Sequence, residues 1–85
     1  MSQSDDLDPV VVATAAILTA HAGVGSASMV ARRLDIDYPD ACRVMDALEA
    51  AGVVGPPIAG GARAVLIDNE ITAAARVAVW LIQQQ

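Results

Sequence analysis

The sequence has no lysine and no phenylalanine, and its only aromatic residues are Tyr38 and Trp80. A core with so little aromatic bulk must be built from Ala, Val, Ile, Leu and Met, and small side chains must fit closely to fill it. Cysteine occurs once, at Cys42, which excludes an internal disulfide and fits a reducing, cytoplasmic setting. The longest apolar run, Val10 to Val24, is broken by Thr14, Thr19 and His21 and is too short to span a bilayer, so no membrane partner is expected. The amino terminus is acidic rather than basic and then apolar, unlike a secretory signal. Five arginines face ten acidic residues, a net charge of −5. A basic face is therefore lacking on average and can exist only where arginines cluster in space.

Catalytic and metal chemistry lack the necessary partners. His21 and Cys42 are single residues, and a metal site or a thiol nucleophile needs several convergent groups. Ser26 and Ser28 have no second His or Lys as base. Gly60-Gly61 is not followed by the Lys-Ser/Thr of a phosphate loop. The expectation is a non-enzymatic chain that needs no cofactor and no metal.

The stretch from Asp37 to Gly55 carries the strongest pattern. Asp37-Tyr38-Pro39 is a helix start, with an N-cap residue and a proline in the first turn, where its missing N–H costs nothing. Ala41, Val44, Met45 and Leu48 then recur on one helical face. Gly52 can supply a left-handed end, and Val53-Val54 opens a β-rich run that Gly55-Pro56-Pro57 stops. Upstream, Asp8-Pro9 starts a first helix to about His21, ended by Gly23 and Gly25. Ser26-Ala27-Ser28 offers a very short strand, and Ser28 a cap for a short helix over Met29 to Leu34. Asp35-Ile36-Asp37 turns into the next helix, giving helix-turn-helix proportions. Val53-Val54 and Ala64 to Ile67, joined through a Gly/Pro loop, predict a hairpin. A last helix, Ile71 to Gln84, has Arg76 as its only charge.

The predicted fold class is mainly α with a small β-hairpin: a winged helix-turn-helix with an added C-terminal helix. Residues 1–7 form an acidic leader expected to be disordered. Residues 8–68 form the winged helix, and 69–85 an apolar helix that can serve in dimerisation.

The segment GSASMVARRLDIDYPDACRVMDALEAAGVVGP, followed by GARAVLI, resembles the gamma domain of FtsK-type DNA translocases. The residues shared with that family pattern include Ser28, Arg32, Arg33, Leu34, Tyr38, Ala41, Arg43, Met45, Asp46 and Glu49. They continue through Gly52, Val53, Val54, Gly55 and Pro56 to Arg63, Val65 and Leu66. The resemblance implies a winged helix that reads double-stranded DNA, with the third helix in the major groove and the wing on the backbone. The positions after the aromatic residue, polar or basic in the family, are here Pro39 and Asp40. The wing, often rich in Ser and Lys there, is here Gly60-Gly61-Ala62.

On this reading the candidate DNA contacts are Arg43, Arg63, Arg32, Arg33, Tyr38 and Asp40. Three of these arginines have a structural alternative. Arg43 can pair with Asp40 or Asp46 at a spacing of three, and Arg32 and Arg33 can complement the negative end of their own helix. A second reading, from a different class, is a protein-interaction module that kept the fold and lost DNA binding. The C-terminal helix is apolar around most of its circumference, so Trp80, Leu81 and either Val77 or Val79 are expected at a homodimer seam.

Overall fold

The computed structural model describes residues 7–59 and 61–85. The leader expected over residues 1–7 thus lies, up to residue 6, outside the described residues. Leu7 itself is half-buried against the core. Among the described residues four helices follow, in the order α1 (Pro9–Ala22), α2 (Ala27–Leu34), α3 (Tyr38–Ala50) and α4 (Glu70–Gln83). The architecture is mainly helical, with little strand.

The helices start where short polar residues stand in extended backbone. Such a side chain can accept from a first-turn N–H that has no helical partner. Asp8 Oδ1 accepts from the Val10 N–H at 2.9 Å, and Pro9 occupies the first turn of α1. Asn69 Oδ1 accepts from the Thr72 N–H at 2.8 Å and starts α4. For α2 the cap is Ser26, whose Oγ accepts from the Met29 N–H at 3.2 Å. This corrects the expectation at Ser28, which lies exposed inside the helix. Ser26 reaches that N–H first, so the short strand expected over Ser26–Ser28 does not form. Asp37 holds the cap position of α3 without a side-chain bond, leaving Pro39 as the local start signal.

The helix ends are equally local. Gly23 (φ 76°) ends α1, its N–H donating to the Thr19 carbonyl at 2.9 Å. α2 ends on Asp35 at φ 55°, the one non-glycine with positive φ among the described residues. A side chain in that region costs about 1 kcal/mol, and a carboxylate there faces the negative end of its helix. Asp35→Gly is therefore expected to raise stability by about 0.5–1 kcal/mol, the gain being limited by glycine's greater freedom in the unfolded chain. Urea denaturation with an unchanged slope checks it.

Instead of a hairpin of two strands, the residues after α3 make isolated antiparallel bridges, Val54 with Val65 and Gly25 with Arg63. Gly55 N–H donates to the Ala64 carbonyl and Leu66 N–H to the Val53 carbonyl, both at 2.9 Å. Gly25 and Arg63 exchange both backbone bonds, at 3.0 and 2.7 Å. The pairing stays short because Pro56 and Pro57 offer no N–H and Ser26 has already turned into α2. Gly25 is buried at this crossing. A Cβ there would stand 3.1 Å from the Arg63 carbonyl oxygen and 3.2 Å from Met45 Cε and Val54 Cγ1, so any side chain would press its neighbours apart by a few tenths of an ångström.

The core gathers Val12, Ala15 and Ala16 of α1, Val30 of α2, and Ala41, Val44, Met45 and Leu48 of α3. Val53, Val54, and Ala73 and Val77 of α4 complete it. α4 packs most extensively on α1. The two run antiparallel: His21 at the end of α1 bonds Glu70 at the start of α4, while Leu7 shares a groove with Trp80, Leu81 and Gln84. Val77 is only 1% exposed, whereas Val79 is 53% exposed. Val77 is therefore a core residue of the single chain rather than part of a seam between copies, because the neighbouring helices bury the side of α4 on which it lies. Thr19 is also buried, and its Oγ1 has no hydrogen-bond partner among the described residues. Thr19→Val keeps the shape and removes an unpaired hydroxyl, so it is expected to raise stability by about 1 kcal/mol, read as a higher melting temperature. Among the described residues no helix is long and apolar enough to cross a membrane.

Candidate functional site

α2 and α3 carry the candidate contact residues other than Arg63, which lies in the bridged segment after α3. Arg32 and Arg33 occupy the last turn of α2, both exposed, and neither makes a salt bridge among the described residues. Tyr38, 57% exposed, follows one turn of chain later at the start of α3. Its phenol is pushed above its ordinary pKa, chiefly by a hydrogen bond with Cys42 one helical turn on. Arg32, Arg33 and Tyr38 are thus the accessible members of the set.

The other arginines are engaged within the chain. Arg43 Nη2 pairs with Asp40 Oδ1, the local alternative foreseen from their spacing. Arg43 also lines the groove that contains Ala47, Trp80 and Leu81, so it borders α4. Asp40 is half-buried in this pair. Arg76 Nη1 donates to the Gly52 carbonyl at 3.2 Å and so ties α4 to the end of α3.

Arg63 is the most constrained of the five. Its guanidinium spans two carboxylates of α3, donating to Asp46 Oδ1 at 2.9 Å and to Glu49 Oε1 at 3.1 Å. Its side chain is 10% exposed. Its backbone bridges Gly25 at the same time. Arg63 therefore clips the bridged segment onto α3 instead of reaching into solvent. The clip has a readable counterpart in the sequence: Asp46 and Glu49, three apart, share a helical face. What the pattern alone could not supply was the cation, which arrives from a segment distant in sequence.

The outward face of α3 beyond Cys42 carries Asp46 and Glu49, both exposed, so with the clip included it remains acidic. Of the residues assigned to a seam, Trp80 and Leu81 are half-buried against the core and Val77 is interior. His21 Nδ1 and Glu70 Oε2 lie 3.1 Å apart on the surface. Glu70's carboxyl is held below its ordinary pKa, first by its own backbone N–H and then by His21. Among the described residues no group of three His, Cys, Asp or Glu side chains is placed to hold a metal.

"DNA translocase FtsK" of Corynebacterium efficiens is 42% identical over 66 residues, covering 78% of this chain and 7% of that protein. The protein of the same name from Mycobacterium tuberculosis H37Rv is 33% identical over 75 residues, covering 88% and 9% respectively. That of Treponema pallidum is 40% identical over 62 residues, covering 73% and 8%. The chain spans less than a tenth of the length of these relatives. The FtsK gamma domain family matches residues 5–68, from before α1 to the end of the bridged segment, with α4 lying beyond it. The chain belongs to the FtsK gamma domain family.

Proposed function

We propose that this chain is a non-catalytic winged-helix module that binds double-stranded DNA. In this reading the start of α3 enters the major groove, and the segment between Gly55 and Arg63, as the wing, lies along the backbone. The observation that carries it is the pair Arg32 and Arg33: exposed, adjacent and free of ion pairs among the described residues, at the end of α2 in a helix-turn-helix. Their guanidinium groups suit phosphate oxygens. Tyr38, exposed, and Cys42, half-buried, lie one turn apart at the start of α3. The names of the relatives, DNA translocases, agree with a DNA partner.

Arg63 in this reading positions the wing and does not contact DNA, and Arg43 with Asp40 acts as a neutral unit beside the groove. Two phosphate contacts per domain predict weak binding. A plot of log affinity against log salt should have a slope of about −2. Fluorescence anisotropy of a labelled duplex at several salt concentrations measures it. A chain that leaves the duplex free at low salt would overturn the reading. That outcome would favour the second one, a protein partner, which the exposed Ile58 (59%) and Leu66 (57%) support.

A further inference from the structure

The side of α4 opposite the core carries an unbroken apolar stripe: Ile71, Ala75, Ala78 and Ile82, all exposed. Ile71 is 82% and Ile82 67% exposed, at the two ends of the stripe. At about 100° per residue the four fall within about 60° of one another, on a seam with the four-three-four spacing of paired helices. None is charged. The order is the same read in either direction: large, small, small, large. A second copy of α4 running the opposite way would set Ile71 against the partner's Ile82 and Ala75 against the partner's Ala78. The small residues then allow close approach at the centre, and the isoleucines close the two ends.

We propose that α4 is an isologous dimer seam, with two copies of this chain packed antiparallel through Ile71, Ala75, Ala78 and Ile82. The pairing is independent of the DNA reading. Charge fixes its direction. A parallel pair would bring Asp68 and Glu70 beside their own copies, whereas the antiparallel pair brings them to the uncharged end Gln83-Gln84-Gln85. The helix dipoles also oppose one another favourably in that arrangement. Three turns of helix cover less surface than the roughly 800 Å² per partner of a standard stable interface. The dimer is therefore weak and depends on concentration. The seam differs from the sequence-based one because Val77, Trp80 and Leu81 face the chain's own core.

Sedimentation equilibrium up to about 1 mM protein tests it. The mass should climb from one chain towards two. Ile82→Glu should stay a single chain throughout, with the melting temperature of the wild type, since Ile82 supports no core contact. A wild type that stays monomeric, or an Ile82→Glu chain that dimerises equally, overturns the proposal. The direction is read by oxidation in a Cys42→Ser background. A mixture of Ile71→Cys and Ile82→Cys chains should cross-link, and Ile71→Cys alone should not. Equal cross-linking of Ile71→Cys alone would overturn the antiparallel register.

Discussion

Truncation of Leu48 to alanine is expected to lower folding stability by about 2–5 kcal/mol. Leu48 is fully buried in α3, among the largest core side chains. Its carbonyl also accepts the Val53 N–H at 2.8 Å, where the chain leaves the helix. A core built from small aliphatics has few long side chains able to move into the vacated space, which puts the loss towards the upper part of that range. A chain of 85 residues has a total stability of only about 4–13 kcal/mol, so this one change removes a large share. The melting temperature should fall by about 10–30 °C. Ile82→Ala, measured as a monomer, should change stability by less than about 0.5 kcal/mol, because its side chain is already in water. Equal losses at the two positions would contradict the packing described for α3 and α4.

Replacement of both Arg32 and Arg33 by alanine should reduce the slope of log affinity against log salt by about 2, one unit for each phosphate contact. On a domain with two such contacts this abolishes most salt-dependent binding. Arg63→Ala should behave differently. It frees Asp46 and Glu49 and loosens the bridged segment, so stability should fall and proteolysis between Gly55 and Ala64 should quicken, with the slope nearly unchanged. Both carboxylates keep part of their solvation, so screening holds the expected stability cost to about 1 kcal/mol. If instead Arg63→Ala removes a unit of slope, the guanidinium exchanges its carboxylates for phosphate in the complex.

The contrast between those arginines shows what a sequence can and cannot disclose. Asp8, Pro9, Gly23 and Pro39 act within a few residues of themselves, so they placed α1 and the start of α3 to within a residue or two. The same local logic gave the core stripe of α3 and the pairing of Arg43 with Asp40. Ser26 and Ser28 carry the same chemistry two residues apart, and only the course of the chain after Gly25 decided between them. Arg63 was legible as a cation at the base of a loop. Its commitment to Asp46 and Glu49 depends on a fold that returns residue 63 to α3, a contact no short window contains. α4 shows the limit of periodicity in a helix apolar nearly all round. Val77 and Val79 are chemically identical, and only the position of the neighbouring helices buries one and exposes the other.

The bonds from Gly55 to Ala64 and from Gly25 to Arg63, with the guanidinium clip on α3, close the base of the loop between Gly55 and Ala64 from three sides. Whatever lies above that base transmits little strain to the core below it. Closing a loop twice as long costs only about 0.6 kcal/mol more. The position is therefore suited to accept inserted chain: residues of other composition, or a reporter sequence, can be grafted there while the helices keep their packing.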